Sequence, residues 1–519
     1  MPALRYETHC DRVVRCFAER PATLDAMFRE AVARSPDRDA LVLGGERVSY
    51  LALDDTVQAI AANLTQRGFR KGDRLALLLG NCLEFVYAVL ACARAGIIIV
   101  PMSTRQRAPE TEFILAQCEA AGLIYQGDLA EQLPAPGATP HLRERFVVGD
   151  GPGTPFAALT TPARFSDVAM TEEDVFALLY TSGTTGRPKG AMLTHLGIVH
   201  SLLNYQYGMQ LRDGEISVLA VPGSHVTGLV AIILTMIRVC GTTVLMPTFK
   251  ARGFLELAAQ ARMTHTLIVP AMYNLCLLDP DFATFDLSRW RIGAFGGAPM
   301  PGATIERLAA TLPQLTLVNV YGSTETTSPV TMLPLGEIAR HADTVGKALA
   351  CTDIIVMDDD GCEVSTGASG ELWIAGPMVI PGYWNNPEAD RSAFRGGYWK
   401  SGDIGSVDAQ GYVRVFDRKK DMINRGGYKI YCIEVEGVLA RHPGVIECAV
   451  IGRPDPVLGE RVHAVIVPRS PDLDIAELKA FCARNLSDYK VPETIALLAD
   501  ALPRNANGKV LKTVLRERG

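Results

Sequence analysis

Apolar positions along the chain alternate between two periods. Residues 23–35 and 50–67 repeat them at three- and four-residue spacing, the signature of helices with one buried face. Residues 40–43, 74–79 and 97–100 are instead short apolar runs of strand length. The run 82–95 predicts a helix that stops at Gly96, with a strand starting at once. That rhythm predicts parallel sheets covered on both faces. The Pro- and Gly-rich stretch 132–161 predicts surface loop, and strand-like runs recur at 175–180, 217–221, 243–246, 266–269, 292–296 and 315–320.

From about Val345 the texture changes to short strands separated by turn signals: DDDG at 358–361, TGASG at 366–370 and DAQG at 408–411. This predicts a small antiparallel or barrel-like unit. Beyond Arg418 the elements shorten again, with helix-length patterns at 433–441 and 475–485 and strand-length patterns at 445–453, 461–467 and 494–499. The expected fold class is therefore α/β. A large N-terminal domain of parallel α/β sheets, 1–416, carries a β-rich subdomain from about 345, and a small mobile α+β C-terminal domain spans 417–519.

Composition removes several function classes. With 519 residues, 48% hydrophobic and 21% charged, the chain reads as an ordinary globular protein rather than a disordered one. A formal charge of −6 offers no basic excess for a nucleic-acid partner. The longest uncharged apolar stretch, 226–237, is short of the ~20 residues that cross a bilayer. The N-terminal residues lack the apolar core of a secretory signal, so a cytoplasmic location is expected. Twelve cysteines without a CxxC pair or metal-like spacing predict reduced, mostly buried thiols.

The densest chemical signal is Tyr180-Thr181-Ser182-Gly183-Thr184-Thr185-Gly186-Arg187-Pro188-Lys189-Gly190. Glycines let backbone N–H groups converge on an anion, hydroxyls add donors, and Lys189 adds a positive charge. Such a loop suits a polyphosphate. It is not a Walker A loop, since GxxxxGK[ST] running into a helix is missing. Glu325, a carboxylate beside hydroxyls in Asn319-Val320-Tyr321-Gly322-Ser323-Thr324-Glu325-Thr326, is the kind of oxygen ligand that holds Mg²⁺ near phosphates. Gly296-Gly297-Ala298 follows an apolar strand and leaves room for a flat ring or a carboxylate against the backbone.

The loop and the segments downstream of it resemble, in order, the adenylate-forming superfamily, which groups acyl-CoA synthetases, aryl-CoA ligases, peptide-synthetase adenylation domains and beetle luciferase. The loop is similar to its phosphate-binding signature and the segment 319–326 to its YGxTE motif. Lys400-Ser401-Gly402-Asp403 is similar to its [ST]GD motif, Asp417 to Ile423 with Gly426-Gly427 to its hinge, and Pro503 to Val510 to its C-terminal lysine segment. Ser401 stands for the commoner Thr and keeps the hydroxyl. Cys432 stands where the family often has Pro and is expected to pack rather than react.

The resemblance implies roles. ATP, Mg²⁺ and coenzyme A would be the cofactors and co-substrates, with a small carboxylic acid as substrate. Thr181, Ser182, Gly183, Thr184, Thr185, Gly186 and Lys189 would hold phosphates. Gly296, Gly297, Ala298, Asn319, Tyr321 and Gly322 would frame adenine, with Tyr321 stacking on it. Thr324 would contact phosphate, and Glu325 and Thr185 would face the metal. Asp403 would accept from the ribose hydroxyls and Arg418 would contact ribose or phosphate. Lys420 would be the hinge, and Gly427 would line the pantetheine path. Lys509 and Lys189 would offset the charge that builds when a carboxylate attacks the α-phosphorus and pyrophosphate leaves. Catalysis is thus expected from Lys509, Lys189, Glu325 and Thr324.

His225, Val226, Thr227, Leu229, Phe295, Gly322 and Val330 are the expected acyl pocket. No Asp lies between Gly223 and Arg238 to pair an α-ammonium, which disfavours amino acids. If 228–238 is a regular helix, Val230, Ile233, Leu234 and Ile237 form its apolar face. Arg238 then lies about 15 Å from Gly228, too far to pair a short diacid. The expected reaction is therefore AMP-forming ligation of an apolar or aromatic monocarboxylic acid to coenzyme A, through an acyl-adenylate. Transfer to a carrier-protein thiol is the alternative, and a nucleotide-responsive ATPase module a more remote one. A homodimer and a lysine acetyltransferase acting on Lys509 are open as partners.

Overall fold

The computed structural model describes residues 2–135, 137–182, 188–426, 428–504 and 510–517. The chain forms two compact units, one of residues 1–354 with 374–399 and one of residues 355–373 with 400–519.

In the first unit the alternating pattern becomes two mostly parallel sheets. One runs Pro188–Thr194, Val175–Ser182, Ile98–Pro101, Arg74–Leu78, Gly122–Gln126, Glu144–Val148, Thr154–Pro155 in spatial order. The other runs Lys347–Ala348, Thr331–Met332, Thr316–Tyr321, Ile292–Phe295, His265–Ile268, Ile216–Leu219, Thr242–Leu245, Asp39–Leu43, Glu46–Ser49. The central strands are buried on both faces, which is why they read as unbroken apolar runs. The helices Leu24–Arg34, Tyr50–Gln66 and Leu83–Ala95 pack into the same core, and their caps follow the sequence. Thr23 and Ser49 side chains accept from Ala26 and Ala52 N–H.

Three elements depart from the expectations. The stretch 132–161 contains the strand Glu144–Val148, parallel to Gly122–Gln126, because Phe146 and Val147, side by side in the strand, are buried on its opposite faces in two separate cores. Leu4–His9 and Arg12–Phe17 form an antiparallel hairpin whose exposed, charged face hid it from a search for apolar periodicity. The segment Thr227–Leu234 is a π-helix, with ordinary helix only at Thr235–Arg238. The Thr235 hydroxyl donates to the carbonyl five residues back, on Val230, at 2.8 Å. A Cβ on Gly228 would stand 2.2 Å from the Pro222 carbonyl oxygen, so only glycine lets that loop seat on the first turn. All residues from Gly228 to Leu234 are buried, so the segment has no separate apolar face.

The second unit has its own core. Val445–Asp455 pairs antiparallel with Gly459–Pro468, which also pairs with Thr494–Leu497 in parallel. The helices Cys432–Leu439 and Ile475–Asn485 bury Val435, Leu439, Leu478 and Cys482 in that core. Also in this unit, Asp403 lies opposite Arg418 in the antiparallel pairing of Tyr398–Val407 with Val413–Arg418. All twelve cysteines are free thiols, and no helix among the described residues is long and apolar enough to cross a membrane.

Candidate functional site

Three segments distant in sequence converge in the first unit. Val175–Ser182 and Pro188–Thr194 pair antiparallel, placing Thr181 opposite Lys189 and Ser182 opposite Pro188. On the far side of Pro188–Thr194, Ala191 bridges Tyr383, and the N–H groups of Trp384 and Met192 donate to Gly190 and Gly382 carbonyls at 2.8 and 3.2 Å. The third segment is the turn Thr324–Thr326, reached from the strand Thr316–Tyr321. Its Glu325 carbonyl accepts from Ile380 N–H at 2.9 Å.

These supports bring four side chains together. Glu325 Oε1 accepts from the Thr181 hydroxyl at 3.2 Å and from the Tyr383 hydroxyl at 3.1 Å. Lys189 Nζ lies 5.3 Å from the centroid of the Tyr383 ring, within cation–π reach. Burial and then the Glu325 charge push the Tyr383 hydroxyl pKa up, so it remains a donor. Among the described residues Glu325 makes no ion pair. A half-buried carboxylate surrounded by hydroxyls and lacking a cation matches the oxygen donor set that a hard divalent cation takes.

The turn behind Glu325 is strained. Thr327 and Ser328 have φ of 52° and 54°, a region that a β-branched residue such as Thr rarely enters. Hydrogen bonds hold them there. The Thr327 hydroxyl donates to Met378 O at 2.7 Å, Ser201 donates to Ser328 O at 3.2 Å, and the Tyr205 and Ser328 hydroxyls share a bond at 2.5 Å.

Other expected residues are placed as follows. Gly296 sits where a Cβ would meet Val320 O at 2.4 Å, and Gly297 has φ +76°. Asn319 is buried and donates to Thr344 O at 2.9 Å, which anchors the strand end. Gly322 and Ala298 are exposed, and Tyr321 and Thr324 are half-buried. His225, Val226 and Thr227 are half-buried, whereas Leu229, Phe295 and Val330 are enclosed in the core. Arg238 bonds Gln206 at 3.0 Å and lies 3.9 Å from Glu30, so its charge is engaged.

In the second unit, Asp403 Oδ1 pairs with Arg418 Nε at 2.8 Å, and Arg418 Nη1 also donates to Ser401 O at 3.1 Å. The Ser401 hydroxyl in turn accepts from Asp403 N–H at 3.0 Å. Lys420 is exposed. Cys432 is buried, its thiol donates to Asp421 O at 3.0 Å, and burial pushes its pKa up, the state of a packing residue. Gly183, Thr184, Thr185, Gly186, Gly427 and Lys509 lie outside the described residues, as does the Ser182 side chain.

Two residues escaped sequence reasoning. Tyr383 joins Glu325 to Lys189, and its only advance signal is an aromatic pair, Tyr383-Trp384, inside a Pro/Gly/Asn-rich loop. Asn81 is buried beneath the His225 segment. Its amide donates to the carbonyls of Leu219, Val221 and Met246, and its oxygen accepts from Gly223 N–H at 2.8 Å. No motif marked it.

Comparison with known proteins supports the same reading. Residues 28–384 match the model of the AMP-binding enzyme family, and residues 434–509 match that of the AMP-binding enzyme C-terminal domain. The chain is 35% identical to a long-chain-fatty-acid–CoA ligase, FadD13, of Mycobacterium tuberculosis, over 95% of this chain and 97% of that one. It is 36% identical to a feruloyl-CoA synthase of an Amycolatopsis species, over 93% and 96%. The solved structure of the anthranilate CoA ligase AuaEII with anthranoyl-AMP superposes with a TM-score of 0.89 at 25% identity, covering 96% of this chain and 98% of that one. With both domain models matched and the fold shared across nearly its whole length, the chain belongs to the AMP-binding enzyme family, as an AMP-forming acid–thiol ligase.

Proposed function

We propose that the chain activates an apolar or aromatic monocarboxylic acid as its acyl-adenylate and transfers the acyl group to coenzyme A. In the first half-reaction a carboxylate oxygen bonds the α-phosphorus of ATP as the bond to pyrophosphate breaks. In the second, the thiol sulfur bonds the acyl carbon, AMP leaves, and the thiol proton passes to solvent.

The observation that carries this reading is the cluster of Thr181, Glu325, Tyr383 and Lys189, in which Thr181 and Lys189 belong to the strands on either side of residues 183–187 in the sequence. Glu325 would hold Mg²⁺, with Thr185 as a second candidate, and the ion would supply charge neutralisation on the phosphate oxygens. Lys189, steadied over the Tyr383 ring, meets the departing pyrophosphate charge, and Thr181 and Thr324 offer hydroxyl donors to phosphate. Asp403 accepts from the ribose hydroxyls while Arg418 orients it. Lys509 serves the first half-reaction only, and Lys420 marks the pivot at which the C-terminal domain, from 417, changes conformation between the two.

For the acid, His225 to Thr227 form the entrance, while Leu229, Phe295 and Val330, expected to line the pocket, are packed in the core behind it and present no surface to an acid in this conformation. The engagement of Arg238 by Gln206 and Glu30 leaves it unsuited to a second carboxylate. The fatty and feruloyl acids named for the relatives agree with an apolar or aromatic body. A screen of fatty, aryl and dicarboxylic acids for pyrophosphate release with ATP and coenzyme A tests the proposal. Medium or long monocarboxylates should win, and malonate outcompeting hexanoate and benzoate would overturn the substrate assignment.

A further inference from the structure

The first unit holds a cavity of about 510 Å³ that the ligase chemistry does not use. It lies against the N-terminal hairpin, and its lining includes Arg12, Arg15, Asp11, Val14, Asp353 and Tyr398. The volume suits a small organic molecule. Arg12 is half-buried, and its Nε, shielded from solvent, has no hydrogen-bond partner among the described residues. Arg15 is exposed, and neither guanidinium pairs with a carboxylate among the described residues. Asp353 is engaged by the Tyr398 hydroxyl, and Asp11 stands at the exposed hairpin turn. A guanidinium withdrawn from water without a counter-charge is costly, and burial indeed pushes the Arg12 pKa down.

One bond connects this cavity to the turn of Glu325. Arg12 Nη2 donates to Val379 O at 2.9 Å. The residues on either side of Val379 hold the Glu325 turn: Met378 O accepts from the Thr327 hydroxyl at 2.7 Å, and Ile380 N–H donates to Glu325 O at 2.9 Å. A ligand that redirects the Arg12 guanidinium therefore acts on a backbone segment bonded to both residues. Strained turns persist only where surrounding contacts over-determine them, so a displacement of 378–380 bears directly on the turn that carries Glu325.

We propose that this cavity is an effector site for a small organic anion, bearing a phosphate or carboxylate head on Arg12 and Arg15, and that its occupancy alters the Glu325 turn. Arg15 brings the anion in from solvent, and the Arg12 guanidinium on the cavity wall adds the second positive charge.

Inorganic phosphate and acetate titrated calorimetrically against the full chain saturated with AMP provide the test. The expected result is an anion-binding event that Arg15→Gln weakens about tenfold or more without changing AMP affinity. Arg12→Gln should do the same, and Arg15→Gln keeps the test decisive if the buried substitution disturbs the hairpin. Phosphate or acetate binding alone supports the site and fixes the head group. In steady state the bound anion should shift the ATP KM of the wild type and not of Arg15→Gln. Failure of both anions to bind, or binding indifferent to Arg15→Gln, overturns the site. Binding that leaves the ATP KM unmoved overturns the link to Glu325.

Discussion

The Tyr383 hydroxyl donates to Glu325 Oε1 at 3.1 Å, while its ring face lies 5.3 Å from the Lys189 ammonium. One side chain thus fixes the distance between the acidic and the basic group of the candidate site. Tyr383→Phe keeps the ring and removes only the donor. A hydrogen bond to a charged group contributes about 1.5–3 kcal/mol, so Tm should fall by a few degrees, and because that bond also aims the Glu325 carboxylate, kcat/KM for ATP should fall roughly 10- to 100-fold. Tyr383→Leu, which also removes the ring, should fall further. Steady-state pyrophosphate release measures both.

The Asp403–Arg418 pair separates binding from stability. The Arg418 side chain is 37% exposed, so after Asp403→Ala it can reach water and the loss of stability should stay near ~1 kcal/mol. If Asp403 grips ribose, the ATP KM should rise by about tenfold or more. A large loss of Tm with an unchanged ATP KM would assign the pair to architecture alone.

Acid should destabilise the first unit through His200. The ring is fully buried, its Nε2 accepts from Phe17 N–H at 3.2 Å, and Nδ1 donates to Leu196 O at 2.8 Å. Burial pushes its pKa down to about 4 from 6.5. Between these values the unfolded chain binds the proton and the folded chain does not, so this contribution is complete above about pH 6.5 and is lost progressively towards pH 4. At pH 5.5 the loss is roughly 1–1.5 kcal/mol relative to pH 7.5. Denaturant midpoints of wild type and His200→Gln at the two pH values check this, and the variant should show less of the acid loss.

Adjacent glycines should respond differently. Gly296→Ala drives a Cβ against the Val320 carbonyl oxygen, 2.4 Å away, and must shift backbone under the expected adenine site. Gly297→Ala meets nothing within 4 Å among the described residues and carries the strain of φ +76°, about 1–2 kcal/mol. Both should lower Tm, but Gly296→Ala should raise the ATP KM by the larger factor.

Much of this was legible because the local signals agreed with the global fold. The pattern at 475–485 became the helix Ile475–Asn485, and the run ending at Gly96 became Leu83–Ala95. Thr181, Lys189 and Glu325 were also singled out from the loop and from the family resemblance, and the structure draws them together around Tyr383. What escaped depends on partners remote in sequence. Tyr383 acquires its position from the bridge to Ala191, and Asn81 from carbonyls at Leu219, Val221 and Met246. The π-helix at Thr227–Leu234 needs the Pro222 carbonyl over Gly228, a contact that apolar spacing does not encode.

Separating the two half-reactions in Lys509→Ala tests the central claim most directly. Acyl-adenylate formation from ATP and acid should be abolished, while supplied acyl-adenylate and coenzyme A should still yield thioester and AMP at a rate near the wild type. Equal loss in both assays would contradict the account of a lysine that serves adenylation alone.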